Sequence, residues 1–155
     1  MDGAQTTWEL LRVAVPALFI AIGWKVVSAD NNARETRKEI RGFLDRTISQ
    51  VEALCEQAVA YFTCEDDDDA ARIASVIDPS LMRLERNLQH LCLKDDNGQV
   101  VNAQSVRQSI TAHNAYRATP RRVLSCDDPA LYEINSRMHD LIQQLEKAYS
   151  SSFQR

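Results

Sequence analysis

Glycine and proline are scarce, four of each in 155 residues, and aromatic side chains make up only 6%. The glycines, Gly3, Gly23, Gly42 and Gly98, are too dispersed to build a phosphate-cradling loop, so P-loop and dinucleotide fingerprints are missing. The four cysteines, Cys55, Cys64, Cys92 and Cys126, follow no CxxC or CxxxC spacing, which argues against a zinc site, although their even number is compatible with two disulfides in an oxidising compartment. The three histidines, His90, His113 and His139, make no HExxH motif, and neither a nucleophile elbow nor a deaminase signature is present. The sequence therefore points to a non-enzymatic protein without a cofactor or a metal. A formal net charge of −4 argues against general nucleic-acid binding. With 45% apolar and 26% charged residues the chain still has a globular composition, long enough for one compact domain and a short appendage.

What the sequence does hold is a long apolar stretch near its start. Residues 10–27 read LLRVAVPALFIAIGWKVV, which as a helix extends about 27 Å, close to the thickness of a bilayer core. Arg12 and Lys25 stand one turn inside its two ends, where long side chains can snorkel, and Trp8 and Trp24 lie at the depths that aromatic belts favour. We expect a single transmembrane anchor in residues 1–29, contacting lipid through residues 10–27, and a helical-bundle domain in residues 30–155. A buried core helix and a signal peptide cleaved after Ala29 are the rival readings, the second opposed by Asp2 and Glu9 where a basic segment is wanted. Lys25, Arg34, Arg37, Lys38 and Arg41 put the basic excess after the span, which orients the N-terminus outward and the bundle into the cytoplasm of an inner (plasma) membrane protein.

The rest reads as helix, giving an all-α fold class: one transmembrane helix, a long amphipathic helix and a small bundle. Between residues 33 and 63 no proline intervenes, and Ile40, Leu44, Ile48, Val51, Leu54, Ala58 and Phe62 recur at three- and four-residue steps. That stripe exceeds what a small domain needs and suggests a homo-oligomer or a protein partner docked along the 33–63 helix. The acidic run Glu65–Asp69 lacks the spacing of a calcium loop and reads as a solvated start for a helix over 70–77. Asp78-Pro79 looks like an N-cap followed by the first residue of a separate helix ending near Cys92. Lys94–Gly98 predicts a turn, taken as an interhelical loop in preference to a small hairpin. Asn102 would cap a helix reaching Tyr116, residues 118–128 form a linker, and Asp128-Pro129 opens a last helix whose tail frays beyond Ser150.

One constellation invites a ligand. Arg107, Tyr116, Arg117, Arg121 and Arg122 place guanidinium groups beside an aromatic ring, a combination suited to an anion or nucleotide, with phosphates gripped by arginine and a base stacked on tyrosine. The plainer reading pairs these arginines with Asp127, Asp128 or the 65–69 run. The leading functional expectation is a membrane-anchored interaction or regulatory protein. In layout alone the chain is similar to nucleotide-gated membrane effectors of prokaryotic antiviral defence, which implies a sensor of a phosphate-bearing ligand. Its size and N-terminal anchor also look like those of phage inner-membrane spanins, which implies an envelope or lysis role if the topology is reversed.

Overall fold

In the computed structural model the backbone is described for residues 3–153 and the side chains for residues 31–153. Four helices are present: α1 (Gly3–Thr63), α2 (Asp67–Leu91), α3 (Gln104–Thr111) and α4 (Pro129–Phe153). The chain divides into two compact units, Met1–Glu39 and Ile40–Arg155. In the first, the side chains of residues 31–39 are exposed, and Thr36 Oγ1 donates back to the Asn32 carbonyl at 2.9 Å. The anchor residues Trp8, Arg12, Trp24 and Lys25, and with them the 10–27 stretch, lie outside the residues whose side chains are described. Among the described residues, no helix is long and apolar enough to cross a membrane.

The second unit is a bundle built from apolar stripes. Leu44, Val51, Leu54, Ala58 and Phe62 of α1 meet Ala70, Ile77, Leu81, Leu84 and Leu88 of α2 and Ile134, Met138, Leu141 and Leu145 of α4 in one core. Each fully buried large side chain contributes about 1.5–3 kcal/mol of transfer free energy. Cross-links fix the directions. Phe43 of α1 packs its ring edge-on against His90 near the end of α2, at 5.2 Å, and Gln50 donates to the Ser80 carbonyl at 3.2 Å, so α1 and α2 are antiparallel. Arg41 grips Glu146 at 2.7 and 2.9 Å while Cys55 donates to Asn135 Oδ1 at 2.9 Å, so α1 and α4 are antiparallel too. The segment from α3 to residue 124 returns along α2, Arg107 opposite Glu85 and Tyr116 opposite Asp78. The result is an up-down-up-down arrangement whose third leg is only partly helical.

This packing corrects several local expectations. The stripe along α1, read as a surface for a partner, is buried between residues 44 and 62 by the chain's own bundle. Pro79 does not begin a helix: α2 runs through it, because the buried positions Ala74, Ile77, Leu81 and Leu84 keep their helical step on both sides, and burying them outweighs the one hydrogen bond that proline forfeits. That helix starts earlier than expected, at Asp67, with Asp66 as the cap accepting from Asp69 N at 2.8 Å. The 94–98 turn closes a small antiparallel bridge, Lys94 with Val100, and Asp95 Oδ1 accepts from the Asn97 and Gln99 amides at 2.9 and 2.8 Å while Gly98 supplies a φ of +77°. Helix α3 stops at Thr111, before Tyr116, and the α4 tail stays helical to Phe153, whose ring lies 4.8 Å from that of Tyr149.

Candidate functional site

Two of the sequence-predicted arginines, Arg117 and Arg121, converge at the α1–α2 corner, and each guanidinium there has a partner inside the chain. Helix α1 ends at Thr63 with carbonyls that no further turn can satisfy. Arg121, whose side chain is only 13% exposed, donates from Nη1 to the Tyr61 carbonyl at 3.2 Å and from Nη2 to the Cys64 carbonyl. Its Nε donates to Asp67 Oδ1 at 2.8 Å, in the first turn of α2. A cation is thus set against the negative end of α1 and an acid at the positive end of α2, the favourable sign at both helix termini.

About three turns further along α2 stands Asp78. Tyr116 donates its hydroxyl to Asp78 Oδ1 at 2.8 Å, and Arg117 pairs with Oδ2 at 2.6 Å. Burial pushes the Tyr116 phenol up to about 12, with the neighbouring Asp78 carboxylate adding to the shift. Arg117 takes a left-handed backbone, φ 53°, unusual for a residue with a side chain. The strain is held by its amide, which donates to the Tyr61 hydroxyl at 2.7 Å, and by the Asp78 ion pair. Tyr61 packs edge-on against both Phe62 and Tyr116, with Tyr61 to Tyr116 centroids 5.3 Å apart, while Phe62 and Tyr116 are tilted to one another. A cleft of about 300 Å³ opens beside them, lined by Tyr61, Asp67, Ala71, Ala74, Arg117 and Arg121.

Not all five candidates join this cleft. Arg107 lies on α3 and forks onto Glu85 at 2.7 and 3.1 Å, a pair that holds its guanidinium further in the charged form and borders a different, more apolar cleft of about 450 Å³ with Leu88, Val100 and Val101. Arg122 is exposed and makes no ion pair among the described residues. Sequence reasoning missed Asp78 and Tyr61, the two residues that organise the corner. Asp78 carried a competing local signal as a helix cap before proline, and Tyr61 sits in a buried stripe that gives no sign of its hydroxyl. Among the described residues no group of three or more metal-type side chains converges, and all four cysteines are free thiols. Cys55 is raised above its ordinary value by burial, with Glu56 adding to the shift.

Comparisons of the chain with protein-family models, curated proteins and solved structures return no match.

Proposed function

We propose that this protein is a non-enzymatic, single-pass membrane protein in which residues 10–27 anchor a helical bundle that associates with itself or with a protein partner at the bilayer surface. The observation that carries the reading is the overlap of sequence and backbone. The apolar stretch with its paired tryptophans and basic residues falls wholly within α1, and a helix meets the demand that every backbone polar group be satisfied in hydrocarbon. The basic residues that follow favour a cytoplasmic bundle. Nothing in the corner calls for a reaction, since Arg117 and Arg121 serve to join α1 to the returning segment.

The test is topology. Cys92 and Cys126 are exposed, so in the native protein a membrane-impermeant maleimide reports on those two thiols, Cys55 and Cys64 being half-buried. The expected outcome is a chain that remains with membranes after alkaline washing, is released on deletion of residues 10–27, and is labelled only once the membrane is permeabilised. Release by washing alone would overturn the anchor. Labelling in intact spheroplasts would reverse the orientation and favour the envelope or lysis role.

The phosphate-sensing alternative draws on the 300 Å³ cleft, where two guanidiniums meet. A phosphate there must displace Asp67 from Arg121 or Asp78 from Arg117, exchanging one anion for another. Arg117 lines the cleft and is the direct probe: nucleotide binding by the parent chain that Arg117→Ala abolishes with the fold intact would revive that reading.

A further inference from the structure

The outward face of α2 has a pattern that the bundle does not use. Asp68, Arg72, Ser75, Pro79, Met82 and Arg86 follow one another at alternating steps of four and three, which places them on one helical stripe, and all six are exposed. Two exposed apolar side chains fall here, Met82 at 59% and Val76 at 45%, which nothing in the fold accounts for. Among the described residues Asp68, Arg83 and Arg86 make no ion pair. The acids of this face belong to the first turn of α2, the unpaired arginines to its last half.

The stripe is a palindrome about Ile77. When a second α2 is laid alongside in the opposite direction, position 68 meets 86, 72 meets 82 and 75 meets 79. The flanking positions 69, 76 and 83 pair about 76 instead of 77, an axial offset of about 3 Å: Val76 comes beside its own copy next to the twofold axis, and Arg83 comes beside Asp69, which Arg72 of its own chain already holds at 2.8 Å. Unpaired Asp68 then meets unpaired Arg86, Arg83 joins the Asp69–Arg72 pair of the other copy, and Met82 packs under the aliphatic stem of Arg72. In a parallel pairing the same residues oppose like with like, acid on acid and arginine on arginine, which is repulsive. A face that is self-complementary in one direction only is what an isologous twofold interface requires.

We infer that the outward face of α2 is a homodimer interface, occupied by the antiparallel α2 of a second copy of this chain. It rests on α2 alone and stands apart from the anchoring reading: loss of the anchor leaves it intact, and a monomeric chain leaves the anchor intact.

The test uses the full chain in detergent, each copy free in its own micelle, followed by sedimentation with detergent contrast-matched. The expected result is a dimer that weakens in high salt, where the Debye length shrinks to about 3 Å at 1 M. Arg83→Glu with Arg86→Glu raises the dissociation constant at least tenfold. Adding Asp68→Arg and Asp69→Arg to that variant restores association, helicity by circular dichroism serving as the folding control. In a background with the native cysteines replaced by serine, chains carrying Asp68→Cys cross-link to chains carrying Arg86→Cys, and Val76→Cys cross-links to itself. A monomer at all concentrations, failure of the charge-swapped variant to recover, or cross-links of position 68 to itself would each overturn the interface.

Discussion

Arg121 reaches back 60 positions to donate to the carbonyl of Tyr61, closing the C-terminal end of α1 with a side chain from the segment that leads to α4. The contact joins the last turn of one helix to the segment that returns past it, and a second bond from the same segment, Leu124 N to Phe62 O at 2.8 Å, lies beside it. Arg121 is therefore a structural clamp. Replacing it with alanine leaves part-buried carbonyls without this donor, and we expect a loss of about 1–3 kcal/mol in urea unfolding. Lysine recovers little, having no fork to span two carbonyls and a carboxylate. The adjacent Arg122→Ala is the control and stays within about 0.5 kcal/mol of the parent.

Pro79 sits on the exposed side of α2 and leaves the Ser75 carbonyl without its helical donor. Pro79→Ala restores that bond in a helix that is already continuous, so a gain of about 1–3 kcal/mol is expected, read as a higher midpoint of thermal unfolding. A destabilised variant would mean that the proline fixes a bend the core depends on.

Gly42 is exposed on α1, and a Cβ built there meets nothing within 4 Å. Gly42→Ala therefore removes the entropy penalty of glycine without a clash, and chemical denaturation should report a gain of about 0.5–1 kcal/mol.

Tyr116 gives the molecule an alkaline limit. Its phenol stands at about 12 in the folded chain against an ordinary 10.0, so the folded state favours the protonated form. The stabilisation from that preference is complete below pH 10 and is lost as the pH rises from 10 towards 12, because the unfolded chain releases the proton first. Tyrosinate absorbance should develop in step with unfolding over this range. Tyr116→Phe removes that component of the pH dependence while lowering stability at neutral pH by about 1 kcal/mol, through loss of the Asp78 bond.

The helices were legible wherever their information is local. The Leu131, Ile134, Met138, Leu141 and Leu145 series on α4 appears in the core as its spacing predicts, since side chains three and four positions apart must share a face of any α-helix. The same rule gave α1 its stripe but could not say what covers it: α2 and α4 do. At Asp78-Pro79 two local rules competed, cap against continuity, and the outcome was set by Ile77 and Leu81, whose burial on both sides of the proline favours one unbroken helix.

The arginine corner lies beyond sequence reading for a related reason. A list of residues shows that Arg107, Arg117, Arg121 and Arg122 are cationic and near one another in number; it does not show that Glu85, Asp78 and Asp67 lie 22, 39 and 54 positions from the first three of them and still within hydrogen-bonding distance. Sequence by itself determined the helical class, the faces of α1, α2 and α4 that turn inward, and the apolar stretch at 10–27, because periodicity and hydropathy are carried by neighbouring residues. Only the tertiary structure decided which charges neutralise one another, because an ion pair depends on distance in space, and the chain's folding back on itself sets that distance.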